Sequence, residues 1–435
     1  MLIQRAVLLD GTHTDIRLDA SIGEVAVGLT PRRGEDVLDA AGGTVLPGLH
    51  DHHLHLRAAA AAMASIHVGP DVVSSRQDLR RILSAASTGA DGWIRAVGYH
   101  DAAAGELDRG VLDEVCPTVP VRVQHRSGVL WMLNSPGLQR LGLDDHPDGR
   151  LRSSDISWSQ TLPRSEPELA QLSARLCGYG VIGVTDATPD LGPADAEALR
   201  AAHRRGELRQ RVHMLAPGKR ILHDDELDLD ELTRWIGDRH AENVPVAMHC
   251  VTVAQLAVAL EALRCAGGAR RGDRIEHAAA VPDDLAADLA DAGVTVVTQP
   301  NFVTERGDQY LVDVPPAEHH ELWRLASLTR AGVPVALSTD APFGDADPWA
   351  TMRAAVHRRA RSGVVLGPDE RVSATTALTM FLGDARQPVA PRQICPGAPA
   401  DLCVLSQPPA AALSELDAGL VAATVIAGRV VFDRT

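Results

Sequence analysis

The sequence predicts an α/β protein: a (β/α)8, TIM-type barrel, regular or distorted, with a small β-sandwich built from both termini and a long insertion after the first barrel strand. Three observations carry this. From residue 181 to 339, near-continuous apolar strands alternate with amphipathic helical patterns, the signature of a parallel sheet covered by helices. Short strand-and-turn blocks stand at both ends of the chain, each too small to bury a core alone. Residues 57–165 break the alternation directly after a strand that ends in a histidine cluster.

The elements follow in order. Ile3–Leu9, Asp15–Leu18, Glu24–Gly28 and Val37–Ala40 read as short strands, punctuated by Asp10-Gly11 and Gly42-Gly43. At the other end Asp401–Leu405, Leu420–Ile426 and Arg429–Phe432 do the same, with Ala427-Gly428 as a hairpin turn. Residues 1–46 and 391–435 are therefore expected to pair into one composite sandwich, leaving 47–390 for the barrel. The strand carrying His53 and His55 opens the barrel. Seven more follow: Val181–Asp186, Arg211–Leu215, Arg220–His223, Val244–Cys250, Arg274–Ala278, Val294–Gln299 and Val333–Thr339. Helical patterns fall at Glu166–Tyr179, Ala194–Arg205, Asp230–His240, Ala254–Ala266, Pro282–Ala292 and Glu318–Ala331.

One joint strains the pattern. Only Ala216-Pro217-Gly218 separates Leu215 from Lys219, where a parallel crossover takes a dozen or more residues. Either one unit is degenerate, or Lys219 lies on a loop or on a continuation of the preceding strand. The insertion at 57–165, with strands at Trp93–Gly98 and Val119–Gln124, is a lid, a specificity wall or a purely structural subdomain.

Composition limits the function classes. A formal charge of −15 leaves no basic stripe for nucleic acid or an anionic membrane surface. No apolar run approaches the ~18 residues a bilayer span requires. The start, Met1-Leu2-Ile3-Gln4-Arg5-Ala6-Val7, reads as a strand pattern and not as a charged segment leading into a long apolar run. The 6 cysteines form no Cys-x-x-Cys and no dense framework, so a reduced, cytoplasmic setting is expected. Of 42 basic residues a single one, Lys219, is lysine.

The most informative stretch is Pro47-Gly48-Leu49-His50-Asp51-His52-His53-Leu54-His55. In an extended strand side chains alternate faces, so His53 and His55 share one face, a start for a divalent-metal site. His50 and His52 make a second such pair on the opposite face, and spacing alone leaves the choice open. Three further strand ends carry His249, His277 and Asp340. Parallel barrel strands all deliver their C-terminal ends to one mouth, so these residues converge there. Such a set supports metal-assisted hydrolysis, with a strand-end Asp able both to touch the ion and to move a proton. The chain has no Gly-x-Ser-x-Gly elbow, no Walker loop and no Gly-x-Gly-x-x-Gly after a strand.

These residues resemble the amidohydrolase superfamily, and within it the N-substituted formamide deformylase-like branch. The likeness runs end to end: the Pro47–His55 stretch, Trp93-Ile94-Arg95-Ala96-Val97-Gly98, Trp131-Met132-Leu133-Asn134-Ser135, Gly183-Val184-Thr185-Asp186-Ala187, Val246-Ala247-Met248-His249, Arg274-Ile275-Glu276-His277-Ala278, Thr298-Gln299-Pro300, Ser338-Thr339-Asp340-Ala341-Pro342 and the tail Pro396–Leu402. The resemblance implies that His53 and His55 are the ligand pair, that His249 and His277 are further ligands, and that Asp340 is both ligand and general base. It also implies a part for Lys219, because many members bridge two metals with a carboxylated lysine. That modification needs an uncharged amine, which arginine cannot supply. One or two divalent ions are expected, zinc foremost, with iron or manganese suited to the same donors.

The departures bear on substrate. Cys250-Val251-Thr252 follows His249 where relatives often have Gly-Asp, and Arg220 stands beside Lys219. The reaction class is therefore expected to carry over, and deformylation itself is not. The leading expectation is hydrolysis of a non-peptide C–N bond in a small amide, formamide or cyclic amide. Ester, lactone or deamination chemistry uses the same activated water and stands as the alternative. A catalytically silent binding or assembly relative stands behind both. The partner is then a small-molecule substrate, and a homodimer is the default oligomer.

Overall fold

The computed structural model describes residues 1–152, 158, 162, 167–189 and 191–434. The chain divides into two compact units, residues 1–56 with 169–435, and residues 57–168.

The larger unit carries all eight expected parallel strands: β1 (Leu49–Leu54), β2 (Val181–Asp186), β3 (Arg211–Met214), β4 (Lys219–Ile221), β5 (Ala247–Cys250), β6 (Arg274–His277), β7 (Thr295–Thr298) and β8 (Val335–Leu337). They form two arcs, β3-β2-β1 and β4-β5-β6-β7-β8, parallel throughout. The end of β8 bonds to β1: the Asp340 N–H donates to the His53 carbonyl (2.9 Å) and the His55 N–H to the Ala341 carbonyl (2.8 Å). Asp51 reinforces this joint, accepting the Thr339 N–H at 3.1 Å as well as the Thr339 hydroxyl. Burial pushes the Asp51 carboxyl up to about 7.

At the strained joint β3 and β4 belong to different arcs. One turn, with the Gly218 N–H donating to the Leu215 carbonyl (2.8 Å), joins them. The unit beginning at Arg211 therefore lacks a helix of its own, and Lys219 opens a short strand opposite Ala247. Gly218 is required there, since a Cβ would lie 2.0 Å from the Pro245 carbonyl oxygen.

Four-stranded sheets from the two ends of the chain have the strand orders Ile22–Ala26, His13–Leu18, Leu2–Val7, Val37–Asp39 and Arg429–Asp433, Val421–Ile426, Leu402–Leu405, Val45–Pro47. Their inward residues, among them Ile3, Ile16, Leu18, Leu402, Val404 and Val425, share one hydrophobic core. Pro-Gly pairs commonly mark turns, but none forms at Pro47-Gly48. Val45–Pro47 pairs with Leu402–Leu405, and after Gly48 alone the chain enters β1. A Cβ on Gly48 would sit 2.3 Å from Ile182 Cγ2, which explains the glycine.

Helices Leu169–Gly178, Pro193–Arg204, Leu229–Ala241, Val253–Cys265 and Asp283–Ala292 fall where the apolar spacing places them. The Glu166 start expected for the first lies outside the described residues. Glu318–Ala331 is not one helix but a 3-10 turn, Pro316–Glu321, and a short helix, Ala326–Arg330. Its middle is pulled out of helical geometry. The Trp323 N–H donates to the Ala279 carbonyl at 2.9 Å, and the fully buried Arg358 guanidinium takes the Leu322 and Trp323 carbonyls at 2.7 Å each. Helices Asn301–Asp313, Pro348–His357 and Ala374–Thr379 carried no recognised signal.

The smaller unit holds a five-stranded sheet in the order Arg150–Arg152, Leu130–Leu133, Val121–His125, Ile94–Tyr99, Ile66–His67. It buries its own core, including Leu79, Leu83, Ala96, Leu112 and Val123. The buried Asn134 of the Trp131–Ser135 motif caps helix Ser135–Arg140 through Gly137 and binds the backbone of Cys116, Val119 and Val121.

Candidate metal centre

β1, β5, β6 and the turn after β8 bring the expected residues together. His53 and His55 lie with ring centroids 5.4 Å apart, His53 and His277 4.8 Å, His249 and His277 4.4 Å. Asp340 Oδ1 is 3.4 Å from both His53 Nε2 and His55 Nε2, and its Oδ2 is 4.0 Å from His277 Nδ1. His53, His277 and Asp340 each offer a donor atom within 4.8 Å of the other two. His50 and His52 stack on each other instead (4.7 Å), and His50 Nε2 meets Thr185 Oγ1 at 2.9 Å.

Strand alternation does not by itself aim all of these side chains. On β6 Arg274 and Glu276 share a face, which leaves His277 on the other. The backbone corrects this at the strand end: His277 and Ala278 have φ of 72° and 47°, and Asp340 has φ of 55°. Left-handed conformations are costly for residues with a Cβ, and they cluster where function fixes a side chain. Gln299 then holds the His277 ring, with Nδ1 and Oε1 2.8 Å apart.

The electrostatics favour neutral donors. Burial holds His53 and His277 well below the usual histidine range and pulls His249 down to about 3, with the Lys219 charge adding to each. A neutral imidazole keeps the lone pair a metal needs. Lys219 is buried, and burial lowers its ammonium to about 8, with the Glu276 charge opposing.

Among the described residues, three buried polar atoms of this cluster have no hydrogen-bond partner: His53 Nε2, Lys219 Nζ and Asp340 Oδ1. Unpartnered buried polar atoms are costly and rare. An imidazole nitrogen and a carboxylate oxygen 3.4 Å apart fit the donor set of a divalent transition metal.

Two of the residues expected near substrate, Arg220 and Thr252, have structural contacts of their own. Arg220 binds Glu231 (2.9 Å) and stacks on Trp235, so it faces helix Leu229–Ala241. Thr252 caps helix Val253–Cys265 in a capping box with Gln255. Conversely, the sequence reading assigned nothing to Glu276, which accepts from His53 Nδ1 and is chelated by Arg274. A signal was present: an Arg and a Glu two apart on an otherwise buried strand must pair.

Comparisons with known proteins bear on the family and the fold. A model of the amidohydrolase family matches residues 36–432. The N-substituted formamide deformylase of Arthrobacter pascens is 24% identical over 459 aligned positions, covering 86% of this chain and 83% of that protein. An uncharacterized metal-dependent hydrolase from Pyrococcus horikoshii OT3 has a similar structure, with TM-score 0.72 and 18% identity over 94% of this chain and 97% of its own. So does N-isopropylammelide isopropylaminohydrolase from Burkholderia multivorans, with TM-score 0.59 and 14% identity over 99% and 98%. At these identities the structural likeness speaks for the fold, and the family model spans nearly all of the chain. The chain belongs to the amidohydrolase family, on its N-substituted formamide deformylase-like branch, and is a hydrolase acting on carbon–nitrogen bonds other than peptide bonds.

Proposed function

We propose that this enzyme cleaves the C–N bond of a small amide, formamide or cyclic amide, using one or two divalent ions, zinc foremost, held by His53, His55, His249, His277 and Asp340. Lys219, carboxylated, is the bridge if two ions are bound. We read the two strand arcs as one distorted barrel whose C-terminal mouth is this site, and the terminal sheets as the composite sandwich beside it. The carrying observation is the trio of unpartnered buried atoms, His53 Nε2, Lys219 Nζ and Asp340 Oδ1.

A bound divalent ion supplies Lewis acidity: it lowers the pKa of a water to about 7 and polarises the substrate carbonyl. The chain does the rest. Asp340, whose Oδ1 lies 3.4 Å from two imidazole nitrogens, accepts the proton of the attacking water on its other oxygen and delivers it to the departing nitrogen. Water adds to the carbonyl carbon, the C–N bond breaks, and a carboxylic acid and an amine leave. Gln299 keeps the His277 ring aligned throughout.

The test is a substrate panel on metal-loaded protein: N-substituted formamides first, as the relative from Arthrobacter pascens suggests, then cyclic amides, esters, lactones and aminoheterocycles. Turnover of an amide class that disappears in Asp340→Asn supports the reading. Turnover confined to esters, or to release of ammonia from a heterocycle, overturns it in favour of that chemistry.

A further inference from the structure

Glu276 is a carboxylate outside the proposed ligand set that touches a proposed ligand, His53. It is wholly buried on β6, with its Oε2 accepting from His53 Nδ1. Arg274, two residues earlier on the same face, holds it in a fork: Nε to Oε1 at 2.7 Å and Nη2 to Oε2 at 3.1 Å. The same Nη2 also reaches the His52 carbonyl on β1 at 2.6 Å. The carboxylate is therefore fixed in position against both strands.

The chemical consequence lies at the other side of the imidazole. A carboxylate only accepts hydrogen bonds, so the His53 proton must sit on Nδ1. Nε2 is then left as the lone-pair atom, and it is the atom that is buried, unpartnered and 3.4 Å from Asp340 Oδ1. A buried ion pair that merely filled the interior would need no imidazole at its end.

We propose that Glu276 is a positioning residue: it locks His53 in the Nδ1–H tautomer and the ring orientation that present Nε2 to the metal, and Arg274 fixes Glu276 for that task. This rests on the metal reading above. Groups that orient a ligating imidazole in this way typically contribute about 10- to 100-fold in metal affinity. Glu276→Gln replaces one carboxylate oxygen with an NH2 group, so either His53 or Arg274 loses its acceptor. Glu276→Asp keeps the charge and should rescue part of the affinity.

Two measurements test it. In wild-type protein stripped of metal, two-bond 1H–15N correlation of 15N-histidine-labelled chain, with the His53 signals identified by their loss in His53→Asn, should show Nδ1 protonated. A proton on Nε2 overturns the proposal, whether or not any Glu276 variant folds. Zinc affinity, by competition with a chromophoric chelator, should fall about 10- to 100-fold in Glu276→Gln, with a smaller loss in Glu276→Asp. A Glu276→Gln affinity within about twofold of wild type would show an ion pair that serves only the fold, and overturns the positioning role alone. A wild type that binds no zinc overturns the metal reading and this inference with it.

Discussion

Asp340 and Lys219 differ sharply in what the sequence could say of them. Asp340 ends a strand before Ala341-Pro342, a position legible as catalytic once a barrel was inferred. Its φ of 55°, which turns the carboxylate toward the histidines, was not legible, because nothing local in the chain announces a left-handed aspartate. Asp340→Asn should lower kcat about 10²- to 10⁴-fold while the melting temperature of the metal-free protein holds, checked by kinetics beside a thermal melt. Lys219 stood out by rarity, and the structure adds that its amine is buried without a partner. In metal-free protein an amine whose pKa falls to about 8 on folding binds fewer protons than it does unfolded. Stability should therefore rise with pH from about 8 toward the ordinary lysine value, and be lost as pH falls through about 8. Lys219→Met should abolish that slope in chemical denaturation series, raise stability at neutral pH and lower bound metal. A slope that persists in the variant would remove Lys219 as its source.

Elements were readable wherever one period dominated. The eight parallel strands and five of the helices follow from apolar runs and 3.6-residue spacing. The failures have separate causes. At 318–331 the helical pattern is present, but tertiary hydrogen bonds from Arg358 and to Ala279 claim the backbone of Leu322 and Trp323. Helix Asn301–Asp313 mixes polar residues among its apolar positions, so its spacing is weak. The joint at Ala216–Gly218 was seen as a problem, yet only coordinates show that the chain changes arcs there. Gly218 is the residue that permits it. Gly218→Ala would force a Cβ to 2.0 Å from the Pro245 carbonyl oxygen and separate β4 from β5. A loss of about 1–3 kcal/mol is expected in denaturant unfolding, together with weaker metal retention because Lys219 follows directly. Wild-type values for both would show that β4 is not held as tightly as the approach implies.

At the scale of the molecule, pairing of the two ends was inferable because neither terminal block could bury a core alone, and Ile3, Ile16, Leu402 and Val425 do share one. Arg211 on β3 adds a bidentate link to the buried Asp401. A chain ending at residue 390 should lose cooperative unfolding, measured by calorimetry, because Ala400, Leu402, Val404, Ala423 and Val425 are removed from that core. A sharp transition in the truncated chain would contradict this. No helix among the described residues is long and apolar enough to cross a membrane.

The central claim is that His53 Nε2 and Asp340 Oδ1 lack partners because they are metal donors, and Lys219 Nζ because it would carry the bridging carboxyl group. Metal content per chain, by plasma mass spectrometry on protein purified without chelator or immobilised metal, tests it most directly. One or two equivalents of zinc or a similar ion, falling in His53→Asn and Asp340→Asn, is the predicted result; two that fall in Lys219→Met place the lysine between them. Protein that holds no metal, even after incubation with zinc, would contradict the account.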